Sequence, residues 1–390
     1  MSPRGSLSLR LSLFYGAIFS VIGIQLPFWP LYLSDKGMTP AQIGQIMASA
    51  FFIKIVTNPL VGHVVDRHGD RRLPLLALSL VAAVATAAFA LADSFTALLL
   101  VTLASSAAFT AMMPLGDSLT MLCAGTHRLD YGRIRLWGSL TFIAAATLSG
   151  ALLVDAPRAA ILWSVFAGQG LSVAAVWLLP DIRSPRAPPR QPLGALIASP
   201  PFLLFLATSS LTQVSHMIYY GFATLYWRAA GLSGGVIGAL WAEGVIAEVI
   251  LFAFGARLVA RFGPGKLMAA AGIAGALRWT VLALTTDPWA LASVQFLHAF
   301  TFGANHLGAM HFINRATPPG LSARAQGIYS SITMGVAPGL AMLVAGRLYE
   351  ALGGHAFFVT SVLSAAGAGL SVLLMRRWHG GAIALGANER

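Results

Sequence analysis

Six ionisable side chains fall inside stretches that are otherwise apolar: Lys54, Asp117, Arg135, Glu243, Glu248 and Arg278. A charge at the centre of a bilayer costs several kcal/mol unless it is paired or faces water. Three kinds of chemistry justify that cost. A guanidinium grips a carboxylate through paired N–H donors, whereas an ammonium acts as a point charge. A buried carboxyl binds and releases a proton as a cation approaches and withdraws. A histidine does the same near neutral pH. Glu248 is the first candidate for the proton and Asp117 the second. Glu243 lies five residues before Glu248, about 140° round a helix, and so faces elsewhere.

The elements that carry these groups follow from composition. The chain has 390 residues, 57% of them hydrophobic and 10% charged, with mean hydropathy +0.76. Soluble domains carry about 25% charged residues, so the solvent here is lipid. Lipid cannot satisfy open backbone groups, and helices about 20 residues long are the expected spanning elements. Twelve spans are predicted, at 9–33, 41–64, 73–92, 96–123, 134–154, 158–179, 202–227, 235–259, 267–285, 288–312, 324–348 and 354–375. With twelve spans both termini share one side. That side holds 19 of the 25 Lys and Arg residues, Arg135 at the start of its span among them; the opposite loops hold Lys36, Arg158, Arg228 and Arg347, and Lys54 and Arg278 lie within spans. The positive-inside bias makes the termini cytoplasmic. The net charge of +12 is therefore topology and not a nucleic-acid surface. Cys123 is the only cysteine, which excludes an intrachain disulfide. The first apolar run is too long for a cleaved signal peptide.

The stretch Asp181 to Pro200, "DIRSPRAPPRQPLGALIASP", is rich in proline and arginine. It divides the chain into residues 1–180 and 201–390, each a predicted six-helix bundle, joined by a cytoplasmic linker at 181–200. An offset of 194 aligns "LYLSDKGMTPAQIG" with "LYWRAAGLSGGVIG", and "GHVVDRHGDRR" with "ARLVARFGPGK". The halves are a parallel duplication, an architecture that places substrate at the midplane where halves meet. The same offset carries Lys54 onto Glu248. That symmetry suggests either a fixed ion pair latching the halves or a pair that opens during a cycle, and the second is favoured.

Polar stripes mark further candidates. Gln213, His216 and Tyr220 share one helical face, as do His298, Phe302 and Asn305. Such stripes in apolar helices line cavities or bond between helices. Tyr15, Phe19 and Ile22 form a stripe better suited to packing than to ring contact with a ligand. No phosphate-cradling loop, metal-ligand spacing or ATPase segment is present, so no enzyme, cofactor or metal is expected.

"GHVVDRHGDRR" resembles the loop motif of the major facilitator superfamily, matching it at Gly62, Asp66, Arg67, Gly69, Arg71 and Arg72 and departing from it at Asp70. The resemblance implies an all-α membrane fold of twelve helices in two pseudo-symmetric bundles, with this loop near the inward gate. "PFWPLYL", "MPLGDSL", "LDYGRIRLWGSL", "ALRW", "FLHAF" and "LVAGRLYEALG" resemble lactose permease and its oligosaccharide–proton symporter relatives. "YYGFATLYWRAAG" and "GVIAEVILF" are more similar to the phenylpropionate permease group, over nearly the whole chain. The lactose-type resemblance implies that Asp117 pairs with Arg135, that Phe142 replaces a substrate-stacking tryptophan, and that Arg278 and His298 belong to the proton pathway. That family's carboxylate three residues after the histidine is here Thr301, so the proton site must be built differently. Glu248 lies within a turn of the lactose-type family's essential span 8 glutamate and aligns directly in the phenylpropionate group.

Together these features imply a proton-coupled secondary transporter of a small organic substrate. It is expected to be a monomer in a bacterial inner membrane. An aromatic carboxylate held by Lys54, Arg135 or Arg278 is the leading expectation. A sugar or nucleoside symporter, a drug–proton antiporter and a transport-dead sensor are the alternatives.

Overall fold

A computed structural model describes residues 3–181, 194–318 and 321–383. Arg183, Arg186 and Arg190 of the expected linker lie outside the described residues, as does the side chain of Asp66. Regular structure among the described residues is helical throughout. In order the helices are α1 (Pro3–Asp35), α2 (Pro40–His68), α3 (Arg72–Ala88), α4 (Phe95–His127), α5 (Tyr131–Leu153), α6 (Ala159–Trp177), the single turn α7 (Gly194–Ile197), α8 (Pro200–Val214), α9 (Met217–Ala229), α10 (Gly234–Ala253), α11 (Gly255–Leu284), α12 (Pro288–Gln295), α13 (Asn305–Ala316), α14 (Ser322–Ser331), α15 (Ala337–Leu352) and α16 (Phe357–Arg377). Nine helical stretches among the described residues are long and apolar enough to cross a membrane. One of them, Arg324–Arg377, is 54 residues long, enough for two crossings at about 20 residues each.

The expected spans at 202–227 and 288–312 are helical but interrupted. The first breaks at Ser215 and His216, between α8 and α9; the second gives way after α12 to a π-helical segment, Ala299–Ala304. The expected span at 324–348 carries a second π segment, Ile332–Val336. Mean hydropathy reads through such breaks, because one extra residue in a turn leaves the apolar content of the segment unchanged. A further break falls inside α11 at Gly263, whose φ of 73° and ψ of 168° are not helical.

The chain forms two compact units. The first comprises Met1–Pro188 with Gly221–Ala242, and the second Pro189–Tyr220 with Glu243–Arg390. In the first unit α1 packs on α5 and α6, α2 on α4, and α3 on α4 and α6. Leu11, Phe14, Tyr15, Ile18, Met112, Leu115, Leu119 and Cys123 form its core. In the second unit α11 lies against α13 and α16, and α8 against α16. Phe205 stacks on Phe312 there, with centroids 4.4 Å apart.

The loop between α2 and α3 shows what its motif does locally. Gly69 ends α2 at φ 76°, donating its N–H to Val65 O at 2.7 Å; a residue with a Cβ is strained there. Asp70, the departure from the motif, accepts from the N–H groups of Arg72 (2.9 Å) and Leu73 (3.3 Å) and so opens α3. Arg71 donates to Ser118 Oγ at 3.0 Å, and Arg72 to Trp177 O at 2.6 Å. These bonds tie the turn to α4 and α6. Arg67 is exposed, and the site at Gly62 is open around its Cα.

Small residues join α5 to the first part of α10, both within the first unit. A Cβ on Gly150 would sit 2.5 Å from Gly234 O, and one on Gly238 2.7 Å from Ala146 O. At the end of this joint Arg228 donates to Val154 O and lies 3.3 Å from Asp155 Oδ1. Arg158, between α5 and α6, also donates to Val154 O, at 2.5 Å. Burial, and then the like charge of Arg228, push Arg158 below the ordinary arginine value, opposed by Asp35 and Asp155. Gly238→Ala should therefore destabilise the protein by roughly 1–3 kcal/mol through overpacking, read as a lower midpoint of thermal unfolding in detergent. Gly235→Ala, whose added Cβ meets open space, should leave the midpoint unchanged or raise it slightly.

Candidate functional site

Each unit holds one cluster of the predicted side chains. In the first unit Asp117 projects from α4 beside α1 and α5. Its Oδ1 accepts from Tyr15 Oη at 2.5 Å and from Tyr131 Oη at 3.0 Å. The two phenol rings meet edge to face, 6.3 Å apart at 87°. The expected pairing of Asp117 with Arg135 is not what the structure shows, and among the described residues no ion pair joins them. Instead the Arg135 guanidinium lies over the Phe19 ring, 3.9 Å from its centroid, and 5.5 Å from that of Tyr15. Gly138 makes room for this arrangement: a Cβ there would be 2.8 Å from Phe19 and 3.0 Å from Arg135 Nη1.

The stripe of Tyr15 and Phe19, expected to serve packing, thus holds the cluster's acid and its cation. Phe142 is 5% exposed and packs where α1 crosses α5, so the ring beneath the cation is Phe19. Lys54 is half-buried, its ammonium 4.7 Å over the Phe51 ring. Tyr131 was not among the predicted residues. Its signal is its place four residues before Arg135, one turn back on the same face.

In the second unit a guanidinium organises the cluster. Arg278 is fully buried on α11. Its Nε and Nη2 donate to Gln295 Oε1 at 3.1 and 2.6 Å, and its Nη1 reaches His298 Nδ1 at 3.1 Å and Thr301 Oγ1 at 3.4 Å. Tyr219 and Trp279 offer their ring faces, each 4.6 Å away. Gln295 in turn donates to Tyr219 Oη at 3.1 Å. Gln295 is the central residue that sequence reasoning passed over, because a lone glutamine in an apolar helix carries no pattern.

The hydrogen-bond directions fix protonation. An arginine only donates, so His298 Nδ1 accepts and the ring proton sits on Nε2, which faces Glu248 Oε2 at 3.5 Å. Glycine permits the approach: a Cβ on Gly244, one turn before Glu248 on α10, would be 3.1 Å from His298 Cβ. On a second branch His216 Nδ1 lies 3.0 Å from Thr212 O, and its Nε2 3.0 Å from Thr301 Oγ1. A carbonyl only accepts, so Nδ1 carries the proton and Nε2 takes one from the threonine hydroxyl. Thr301, standing where the lactose-type resemblance implies a carboxylate, bridges Arg278 and His216. Both branches start at one cation and pass through neutral histidines.

Tyr220 stacks on His216 with centroids 5.5 Å apart, and Phe302 on His298 at 5.7 Å. Gln213 and Asn305 are 6% and 1% exposed, and their side-chain oxygens have no hydrogen-bond partner among the described residues. The structure thus joins His216, Tyr220, Glu248, Arg278 and His298, and leaves Gln213 and Asn305 outside that network. Gln295→Leu, which removes the one oxygen that accepts two bonds from a buried guanidinium, should cost roughly 3 kcal/mol and lower the thermal midpoint. Gln295→Glu, which keeps an acceptor in place, should retain it.

Comparison with known proteins agrees with this architecture. Residues 8–360 match the family described as MFS_1 like. The chain is 32% identical over 359 residues to a protein of Escherichia coli (strain K12) named "Probable 3-phenylpropionic acid transporter", covering 91% of this chain and 94% of that one. It is 29% identical over 373 residues to the maltose permease of Geobacillus stearothermophilus, covering 94% of each. Crystal structures of the nucleoside transporter NupG superpose with TM-scores of 0.81 and 0.75 at 19% and 20% identity, over 95% of this chain and 98% of theirs.

Proposed function

The chain belongs to the MFS_1 like family of major facilitator transporters, and from that membership and the geometry above we propose that it imports a small aromatic carboxylate together with protons by alternating access. The observation that carries the substrate class is Arg135. It lies on an aromatic face with its guanidinium unclaimed by Asp117, an arrangement that offers paired donors to a carboxylate and apolar walls to a ring. The 32% identical relative is named for 3-phenylpropionic acid, which supports the reading. Lys54 is a second cation available to the substrate.

The proton is assigned to Glu248. His298 is held neutral by the Arg278 N–H on its Nδ1. Protonating that ring would set one N–H against another, so an incoming proton goes to the Glu248 carboxylate. Withdrawal of the His298 N–H from Glu248 then changes the carboxyl's affinity for the proton. The cell setting proposed is a bacterial inner membrane with both termini cytoplasmic, from the charge bias of the loops.

Two measurements test this. Glu248→Gln in proteoliposomes should abolish accumulation driven by a pH gradient while exchange of preloaded substrate continues; full accumulation would overturn the proton assignment. Titration calorimetry with 3-phenylpropionate should show binding that Arg135→Lys weakens about 10-fold, equivalent to ~1.4 kcal/mol, whereas the amide analogue binds poorly to both forms. The maltose permease similarity supports a sugar reading as the second choice. Tight disaccharide binding with no response to the acid would establish it.

A further inference from the structure

Asp117 and Arg135 are neighbours that do not pair. Tyr15 Oη and Tyr131 Oη both donate to Asp117 Oδ1, at 2.5 and 3.0 Å. Hydrogen bonds from hydroxyls to a carboxylate are charge-assisted and strong, and two on one oxygen satisfy the half of the carboxylate that faces α1 and α5. The same tyrosines border the cation. Arg135 lies 5.5 Å over the Tyr15 ring, and Tyr131 precedes it by one turn on α5. An arginine side chain is long enough to swing from Phe19 to a bare carboxylate in that position, and such a carboxylate would take it bidentately.

The difference decides ligand chemistry. A guanidinium already neutralised by an aspartate offers only neutral-site hydrogen bonding, which suits hydroxyl-rich substrates. One held over a ring keeps its full charge for an anion. We propose that Tyr15 and Tyr131 are specificity-determining residues: by occupying Asp117 they leave Arg135 to bind the substrate's carboxylate. They are positioning residues, acting through Asp117 without touching substrate. This inference rests on the aromatic-acid reading for its ligand, but the release of Arg135 is observable without any ligand.

The test combines two readouts on Tyr15→Phe with Tyr131→Phe, and on the same pair with Asp117→Asn added. The first is calorimetric affinity for 3-phenylpropionate. The second is modification of Arg135 by phenylglyoxal in ligand-free protein, located by mass spectrometry, since an ion-paired guanidinium reacts more slowly. The tyrosine pair should weaken acid binding about 10-fold and protect Arg135 from the reagent. Adding Asp117→Asn should restore both, because no carboxylate is left to capture the arginine. Tyr131→Phe alone, at the half-buried member of the pair, gives the same trend if the double variant folds poorly.

Rescue by Asp117→Asn is an outcome that a mere packing role for the phenols does not produce. Unchanged affinity and unchanged labelling in the tyrosine pair would overturn the proposal, as would a triple variant no better than the pair. If no form binds the acid, wild type included, while labelling follows the expected pattern, the aromatic-acid reading falls and the tyrosine control of Arg135 stands.

Discussion

A permanent cation without water is the constraint on which the second unit is arranged. Arg278 cannot shed its proton, and its side chain is fully buried. Every donor it carries must meet an acceptor, and each acceptor must be brought to it by a helix. Gln295 comes from the last position of α12, His298 from just before the π segment and Thr301 from within it. The three are spaced three residues apart, so they share one side of the chain as it passes from α12 into the π segment. The aromatic faces of Tyr219 and Trp279 fill the remaining solid angle. Trp279 is itself held by Ser215 and Ser364, at 3.0 and 3.1 Å, so the α8–α9 break and α16 are joined to the same centre.

The first unit solves the complementary problem, an anion in apolar surroundings, with neutral donors. Asp117 is met by phenols and not by a base, and the base nearby is met by a ring. Opposite charges that could cancel are kept apart by groups with no net charge. The cost of each isolated charge is then spread over hydrogen bonds and a cation–π contact.

Much of this was legible in the sequence because charge in an apolar run is conspicuous. Lys54, Asp117, Glu248 and Arg278 were found on that ground, Arg135 through the lactose-type resemblance, and the internal repeat singled out Glu248. His216 and His298 were found as polar positions on helical faces. What escaped were neutral residues whose importance exists only in three dimensions. Gln295 matters because it faces Arg278, and Tyr131 because it reaches Asp117 on another helix; neither relation has a sequence spacing. The Asp117–Arg135 pairing was inferred from resemblance and failed for a local reason, two hydroxyls placed closer to the acid than the guanidinium. The helix breaks were missed because hydropathy does not register a single added residue. Asp70 shows the reverse case: a departure from a motif proves to be the side chain that starts α3.

The glycine contact between α5 and α10 has a consequence for how that surface behaves. Two helices meeting through Gly150, Gly234 and Gly238 touch backbone to backbone. Such a seam has no rotamers to sort and almost no side-chain entropy to lose when it closes. What holds it is dispersion and weak Cα–H···O contact, forces that vanish within an ångström or two of separation and leave no partially engaged state. A seam of this kind is smooth: it sets the two backbones at close spacing and carries no interlocking side chains. The arginine at its rim, bonded to the Val154 carbonyl, then supplies the directional contact that the smooth face lacks.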